Sequence, residues 1–480
     1  MLQLSIFRAT IPGIGVLLSL FALLPSPGRG EESTLTARLG RALGAPALRG
    51  ARVAALVVGA EDGRVLYQHE PDDLLAPASN LKILTALVAL TTLGPEYRFT
   101  TRIVADREPN AAGEVERVGV HGSGDPALTS EQWWRLAADL RLKGLRRIRG
   151  DLIVDDSAFD RVRWNDAWKS RSSRAYFPAI GALSANYGAF TAEVHPGARP
   201  GDAVRVTIDP PVPYLEIVNR AKTGSPRAEE RLGVDRETAG NREAVIISGV
   251  LPQGSAARTF YRSVADPAAY AGAVFRMQLA ANGIDVGGEV RPGSVGALPH
   301  ELLTFEGEPL GQVVQRLMKY SNNDIAETLV KAIDAQVNGR AGGWPGGLAV
   351  IQARLRDLGV STTGLTLVDG SGLAETNRVS PRALADALRI ARRSFAVGPE
   401  YIAALPVAGR DGTLRQRGGA AVGAVRAKTG LLAGVTALSG YARASDGGEA
   451  VFSVLVNGYR GSDAEAMAAV DAFVAELVSP

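Results

Sequence analysis

The 480-residue chain contains no cysteine. That absence removes a disulfide scaffold, a thiol nucleophile and a thiolate metal site together. Histidine is scarce as well: the four copies, at 69, 121, 195 and 300, form no paired motif, so no metal and no other cofactor is assigned. A dominant charge is also missing, since 53 Lys+Arg against 50 Asp+Glu leave a net charge of +3. The densest basic cluster is Arg141, Lys143, Arg146, Arg147 and Arg149, and no aromatic platform accompanies it. A solvated helix end explains it better than a nucleic-acid footprint. Long apolar runs are absent except for Ile11 to Leu24, which is short of the about 20 residues of a spanning helix. Arg8 precedes that run, and Pro25-Ser26-Pro27 and Gly28-Arg29-Gly30 follow it. Residues 1–30 therefore read as a secretory signal with cleavage expected after Gly30, an uncleaved anchor being the alternative. No later run is long enough to span a membrane.

What is present is a series of three short segments in fixed order: Ser79-Asn80-Leu81-Lys82, Ser321-Asn322-Asn323 and Lys428-Thr429-Gly430. A Ser three residues before a Lys at a helix start puts a hydroxyl and an amine on one face. A nucleophile needs that from its base. Each segment recurs by chance, and two others resemble them: Ser184-Ala185-Asn186 and Lys222-Thr223-Gly224. Context separates the sets. Ser79 heads the apolar run Asn80 to Leu90, entered through Pro77, and Ser321 lies between helical patterns at Leu310–Tyr320 and Asp324–Ile333. Lys428 precedes a strand-like run, Val435 to Arg443, the turn Asp446-Gly447-Gly448 and a second strand, Ala450 to Val456. Lys222 is followed by a polar loop, so the second pair of segments is expected to serve structure. Taken singly, each segment of the first set also has an ordinary explanation, as a helix cap, a helix-joining turn or a charge guarding an edge strand.

Jointly the three resemble the S-x-x-K, S-x-N, K-T-G series of the active-site serine penicillin-binding enzymes. The long stretch between Ser79 and Ser321 narrows the resemblance to the D-alanyl-D-alanine carboxypeptidase/endopeptidase family, the type-4 low-molecular-mass penicillin-binding proteins (peptidase family S13). Other segments similar to that family are Gly122-Ser123-Gly124-Asp125-Pro126, Gly150 to Ser157, Asp369-Gly370-Ser371-Gly372-Leu373, Leu405 to Gly409 with Asp411 to Leu414, and Val425 to Gly430.

The resemblance implies acyl transfer on peptidoglycan stem peptides, with β-lactams as covalent inhibitors and a location in the periplasm or on the outer face of the cytoplasmic membrane. Ser79 would be the nucleophile and Lys82 its base, neutral through burial and the neighbouring cation Lys428. Ser321 would relay a proton to the leaving nitrogen, Asn323 would hold a substrate amide, and Lys428 and Thr429 would meet the C-terminal carboxylate. Gly430 completes the third motif, and main-chain N–H groups of Ser79 and Leu431 would face the oxyanion. The family usually has Ser or Thr at the position of Leu431, so the preference for a free carboxylate is less certain. Asp155, in the Asp-rich segment, is the candidate contact for an amino group on the stem; an ordinary turn cap is its alternative. Two other functions stay open: a β-lactamase-like hydrolase, which needs a second base that no residue identifies, and a non-catalytic wall-binding protein.

The implied architecture is α+β, a β-lactamase/transpeptidase-like catalytic domain of antiparallel sheet and helices, split into 34–97 and 303–480. Between them lies an insertion, 98–302, of two subdomains, the inner at about 118–184. Its strand-like runs include Ala203–Ile208, Ala244–Ile247 and Val286–Val290.

Overall fold

A computed structural model describes residues 29–444 and 447–479. The expected export signal lies outside these except for its last two residues, and Asp446 of the expected turn also lies outside. No helix among the described residues is long and apolar enough to cross a membrane.

The two ends of the chain build one antiparallel five-stranded sheet, ordered 425–432, 435–443, 449–457, 52–59 and 65–69. Arg52–Gly59 pairs with Glu449–Asn457 along its whole length. The central strands are buried on both faces, and their alternation sorts them into two cores. Leu56, Ala437, Val451 and Leu455 face a helical layer. Val57, Leu438, Phe452 and Val454 face the closing helix Asp463–Val478 and the leading helix Arg29–Leu43. Lys82–Leu93 runs through the middle of the helical layer and is buried on every side from Lys82 to Leu90. Apolar residues all round a helix suit that position.

The inserted region carries a second five-stranded sheet, ordered 290–292, 152–155, 118–122, 98–105 and 300–309. Strand His300–Pro309 crosses position 303, where the sequence reading places the second half of the catalytic domain. The strands at 118–122 and 152–155 pair with each other and with the flanking 98–105 and 290–292. The span 118–184 is thus tied by its sheet to both flanks, whereas the strands between Ala189 and Ser263 form separate small sheets. The strand expected over Val286–Val290 is two short ones, Asp285–Val286 and Val290–Pro292. Gly287 and Gly288 interrupt it by donating to the carbonyls of Ile148 and Gly150, where a Cβ would stand 2.5 Å from Arg149 O and 2.4 Å from the Asp151 carboxylate.

Candidate active site

Ser79 lies in a single 3₁₀ turn, Ala78–Leu81, which runs into the helix that begins at Lys82. In such a turn residues three apart eclipse one another. Lys82 Nζ accordingly lies 3.0 Å from Ser79 Oγ. Lys82 is fully buried, and its amine also reaches Asn323 Oδ1 at 2.7 Å and the Ser371 carbonyl at 2.8 Å. The Asn323 amide nitrogen donates to Tyr176 O at 2.8 Å, which turns its oxygen toward Lys82. Burial lowers the Lys82 pKa to about 7, against the opposing pull of the carboxylates of Glu327 and Asp369.

Ser321 joins the helices Leu310–Tyr320 and Asn323–Asn338 with φ at 56°, in the left-handed region. A non-glycine residue held there is strained, and such strain concentrates at functional sites. The neighbouring Asn322 caps the second helix by accepting from Ile325 N. Ser321 Oγ accepts from Lys428 Nζ at 2.8 Å, and the same amine reaches Thr429 O at 2.8 Å. Lys428 is fully buried, so burial first and Lys82 second hold its pKa well below the usual lysine value.

Val425–Leu432 is an edge strand of the central sheet. Ala427 N donates outward to Pro406 O, and Val425 O accepts from Ala408 N on the same side. Antiparallel alternation then turns the N–H groups of Thr429 and Leu431 to that edge as well. The Thr429 hydroxyl meets Thr413 Oγ1 at 2.8 Å, and the Leu431 side chain is exposed. Gly430 packs over the Ser79 turn, where a Cβ would stand 2.8 Å from Pro77 O. Asn80, whose amide donates to Lys428 O, ties that turn to the strand.

The structure therefore brings Ser79, Lys82, Ser321, Asn323, Lys428, Thr429, Gly430 and Leu431 together. Asp155 is not among them. Its two carboxylate oxygens accept from Ser157 N and Val295 N, and His121 Nδ1 lies 3.6 Å from one of them, on the neighbouring strand of the same sheet. Asp155 is thus a buried carboxylate that accepts from two backbone N–H groups. The second set of motifs also falls elsewhere. Asn186 binds the backbone and hydroxyl of Ser130, and Lys222–Gly224 pairs with Val250–Pro252. In the basic cluster, Arg146 closes a helix end on Arg141 O and Arg149 pairs with Glu114.

Sequence reasoning missed the support beneath Lys82. Glu327, fully buried, accepts from Trp344 Nε1, Gly370 N and Ser371 N. Asp369, equally buried, accepts from Gly372 N, Ala374 N, Asn377 Nδ2 and Trp168 Nε1. The spacing of Glu327 from Asn323, one helical turn, was the available signal. Beside Asn323 a cavity of about 510 Å³ opens between catalytic and inserted regions, lined by Tyr176, Tyr187, Tyr261, Asp209 and Asp324.

A buried serine–lysine pair, a second serine–lysine pair and an open strand edge define an active-site serine hydrolase of the penicillin-binding type. The chain matches the model of the D-Ala-D-Ala carboxypeptidase 3 (S13) family over residues 35–477, and it belongs to that family as a serine-type peptidase. It is 38% identical over 433 residues to a D-alanyl-D-alanine carboxypeptidase of an Actinomadura species, covering 87% of this chain and 79% of that protein. The crystal structure of penicillin binding protein 4 (dacB) from Haemophilus influenzae is similar at TM-score 0.77 and 25% identity, covering 93% of this chain and 98% of that one. The same protein complexed with a β-lactam is similar at TM-score 0.73 and 26% identity.

Proposed function

We propose that the protein hydrolyses the D-alanyl-D-alanine end, or the corresponding cross-link, of peptidoglycan stem peptides through an acyl-enzyme on Ser79. The observation that carries this reading is the set of partners around Lys82. A neutral amine has two N–H groups and one lone pair. Asn323 Oδ1 and Ser371 O can only accept, so they take both N–H groups. The lone pair is left for the one partner able to donate, the Ser79 hydroxyl.

Ser79 Oγ then attacks the carbonyl carbon of the penultimate D-alanine as its proton passes to Lys82. The oxyanion is met by main-chain N–H groups of Ser79 and Leu431, fixed donors that need no reorganisation. Collapse of the intermediate breaks the C–N bond, and the proton held on Lys82 is handed on through the Ser321 hydroxyl, itself held by Lys428, to the leaving nitrogen, which returns Lys82 to its neutral form. Water releases the acyl group by the reverse sequence. Thr429 and the Lys428 amine favour a substrate carboxylate, while Leu431 offers an apolar contact in place of a hydroxyl. A periplasmic or cell-surface location follows from the substrate, with residues 1–30 as the export signal. The catalytic domain is assigned to 34–97 and 303–480, with 98–302 inserted.

Digestion of a stem pentapeptide and of a cross-linked muropeptide dimer tests this. Release of D-alanine, cleavage of the dimer, or both is expected from the wild type and from neither in Ser79→Ala. A folded wild type inert on both substrates would contradict the proposal.

A further inference from the structure

The Asp369–Leu373 loop reaches Lys82 through one residue, Ser371. The Ser371 carbonyl accepts from Lys82 Nζ at 2.8 Å, while the Ser371 N–H donates to Glu327 Oε1 at 2.8 Å. Gly370 adds a second clamp, its N–H to Glu327 and its carbonyl to Thr85 Oγ1 at 2.7 Å, on the Lys82 helix itself. Trp344 Nε1 fixes the other carboxylate oxygen at 2.7 Å. We infer that Glu327 is a positioning residue for the acylation step: it holds the Gly370–Ser371 backbone so that the Ser371 carbonyl fixes one N–H of Lys82, and its charge acts on that amine across the same residue. This rests on the acyl-enzyme reading given above.

A buried carboxylate is costly unless fully bonded, and here both oxygens are used, by Trp344 Nε1 and the N–H groups of Gly370 and Ser371. Glu327 occupies the same helical face as Asn323, one turn on, so a single helix carries both a direct partner of Lys82 and the carboxylate that holds Ser371. The charged neighbours are few. Lys82 faces Lys428 from the edge strand, Glu327 from its packing helix and Asp369 from the loop. Glu327 faces Asp369, with Lys331 and Asp324 on its own helix. Burial and Asp369 push the Glu327 pKa up to about 7, so its charge changes in the range where Lys82 titrates.

The sign follows. An anionic Glu327 favours protonated Lys82, and its removal lets Lys82 lose its proton at lower pH. Glu327→Gln keeps the side-chain oxygen for the loop N–H groups and removes the charge; Glu327→Ala removes both. The rate of serine acylation by a fluorescent penicillin is measured against pH for the wild type and both variants. Glu327→Gln is expected to move the rising limb at least 0.5 pH unit downward, with the high-pH plateau within about threefold of wild type. Glu327→Ala is expected to lose at least tenfold on the plateau. An unmoved limb in Glu327→Gln, whatever the plateau, overturns the inference. If that variant does not fold, Trp344→Phe, which frees one carboxylate oxygen and so favours neutral Glu327, is read the same way. A wild type that penicillin does not acylate removes the acyl-enzyme reading and this one with it, whereas acylation with an unmoved limb removes only this one.

Discussion

Lys82 and Lys428 are both fully buried and stand in separate hydrogen-bonded cradles, one at Ser79, Asn323 and Ser371 and the other at Ser321 and Thr429. Only Lys82 has carboxylates beneath it, and its charge depresses the proton affinity of Lys428. The protein thus keeps two amines in one site without charging both, and gives each a hydroxyl to serve.

The first consequence is a pH profile. Lys82 must be neutral to accept the Ser79 proton, and its pKa is lowered to about 7. Acylation by a penicillin should rise with pH through a midpoint near 7 and fall about tenfold per unit well below it. A flat profile between pH 5 and 8 would contradict Lys82 as the base.

Ser321 offers a test of stored strain. Ser321→Gly deletes the hydroxyl on Lys428 and relaxes a backbone at φ 56°. D-alanine release should fall by about 10²–10⁴-fold. Stability should stay level or rise by up to about 1 kcal/mol in denaturant unfolding, because glycine accepts this conformation freely. Full activity in this variant would remove Ser321 from the proton path.

Gly372 supports the nucleophile turn at close range. Its φ is 80°, and a Cβ there would stand 1.8 Å from Ala78 O. Gly372→Ala should therefore displace the turn that carries Ser79 and cut acylation by more than tenfold, with a loss of about 1–3 kcal/mol in stability. Unchanged acylation would show that the turn tolerates the shift.

Asp155 should behave as a fold residue. Asp155→Ala leaves the N–H groups of Ser157 and Val295 without acceptors, costing about 2–4 kcal/mol in unfolding measurements. The ratio of rates on amino-bearing and amino-blocked peptides should not change. A changed ratio at full stability would restore it as a substrate contact.

These outcomes follow the division between what local pattern carries and what it does not. The helix at Leu310–Tyr320 and the strand at Val435–Arg443 were legible because their apolar periodicity is strong and their ends are marked by turn residues. The motifs at 79, 321 and 428 were legible because chemistry restricts residue type. Glu327 was not: a glutamate inside an amphipathic helix reads as a solvent-facing residue until tertiary packing places Trp344 and the Gly370–Ser371 backbone around it. The backbone partners of Asp155 were equally hidden, since an acidic residue in a motif carries no mark of which N–H groups it will cap. The sheet nesting within the insertion was hidden because strand pairing across long separations leaves no local signal.

The most direct test is covalent. Wild type and Ser79→Ala are incubated with a fluorescent penicillin and read by intact-mass and peptide mass spectrometry. The account predicts one stable adduct, on the peptide containing Ser79, present in the wild type and absent from the variant. An adduct on another residue, or a folded wild type that neither forms an adduct nor consumes penicillin, would contradict it.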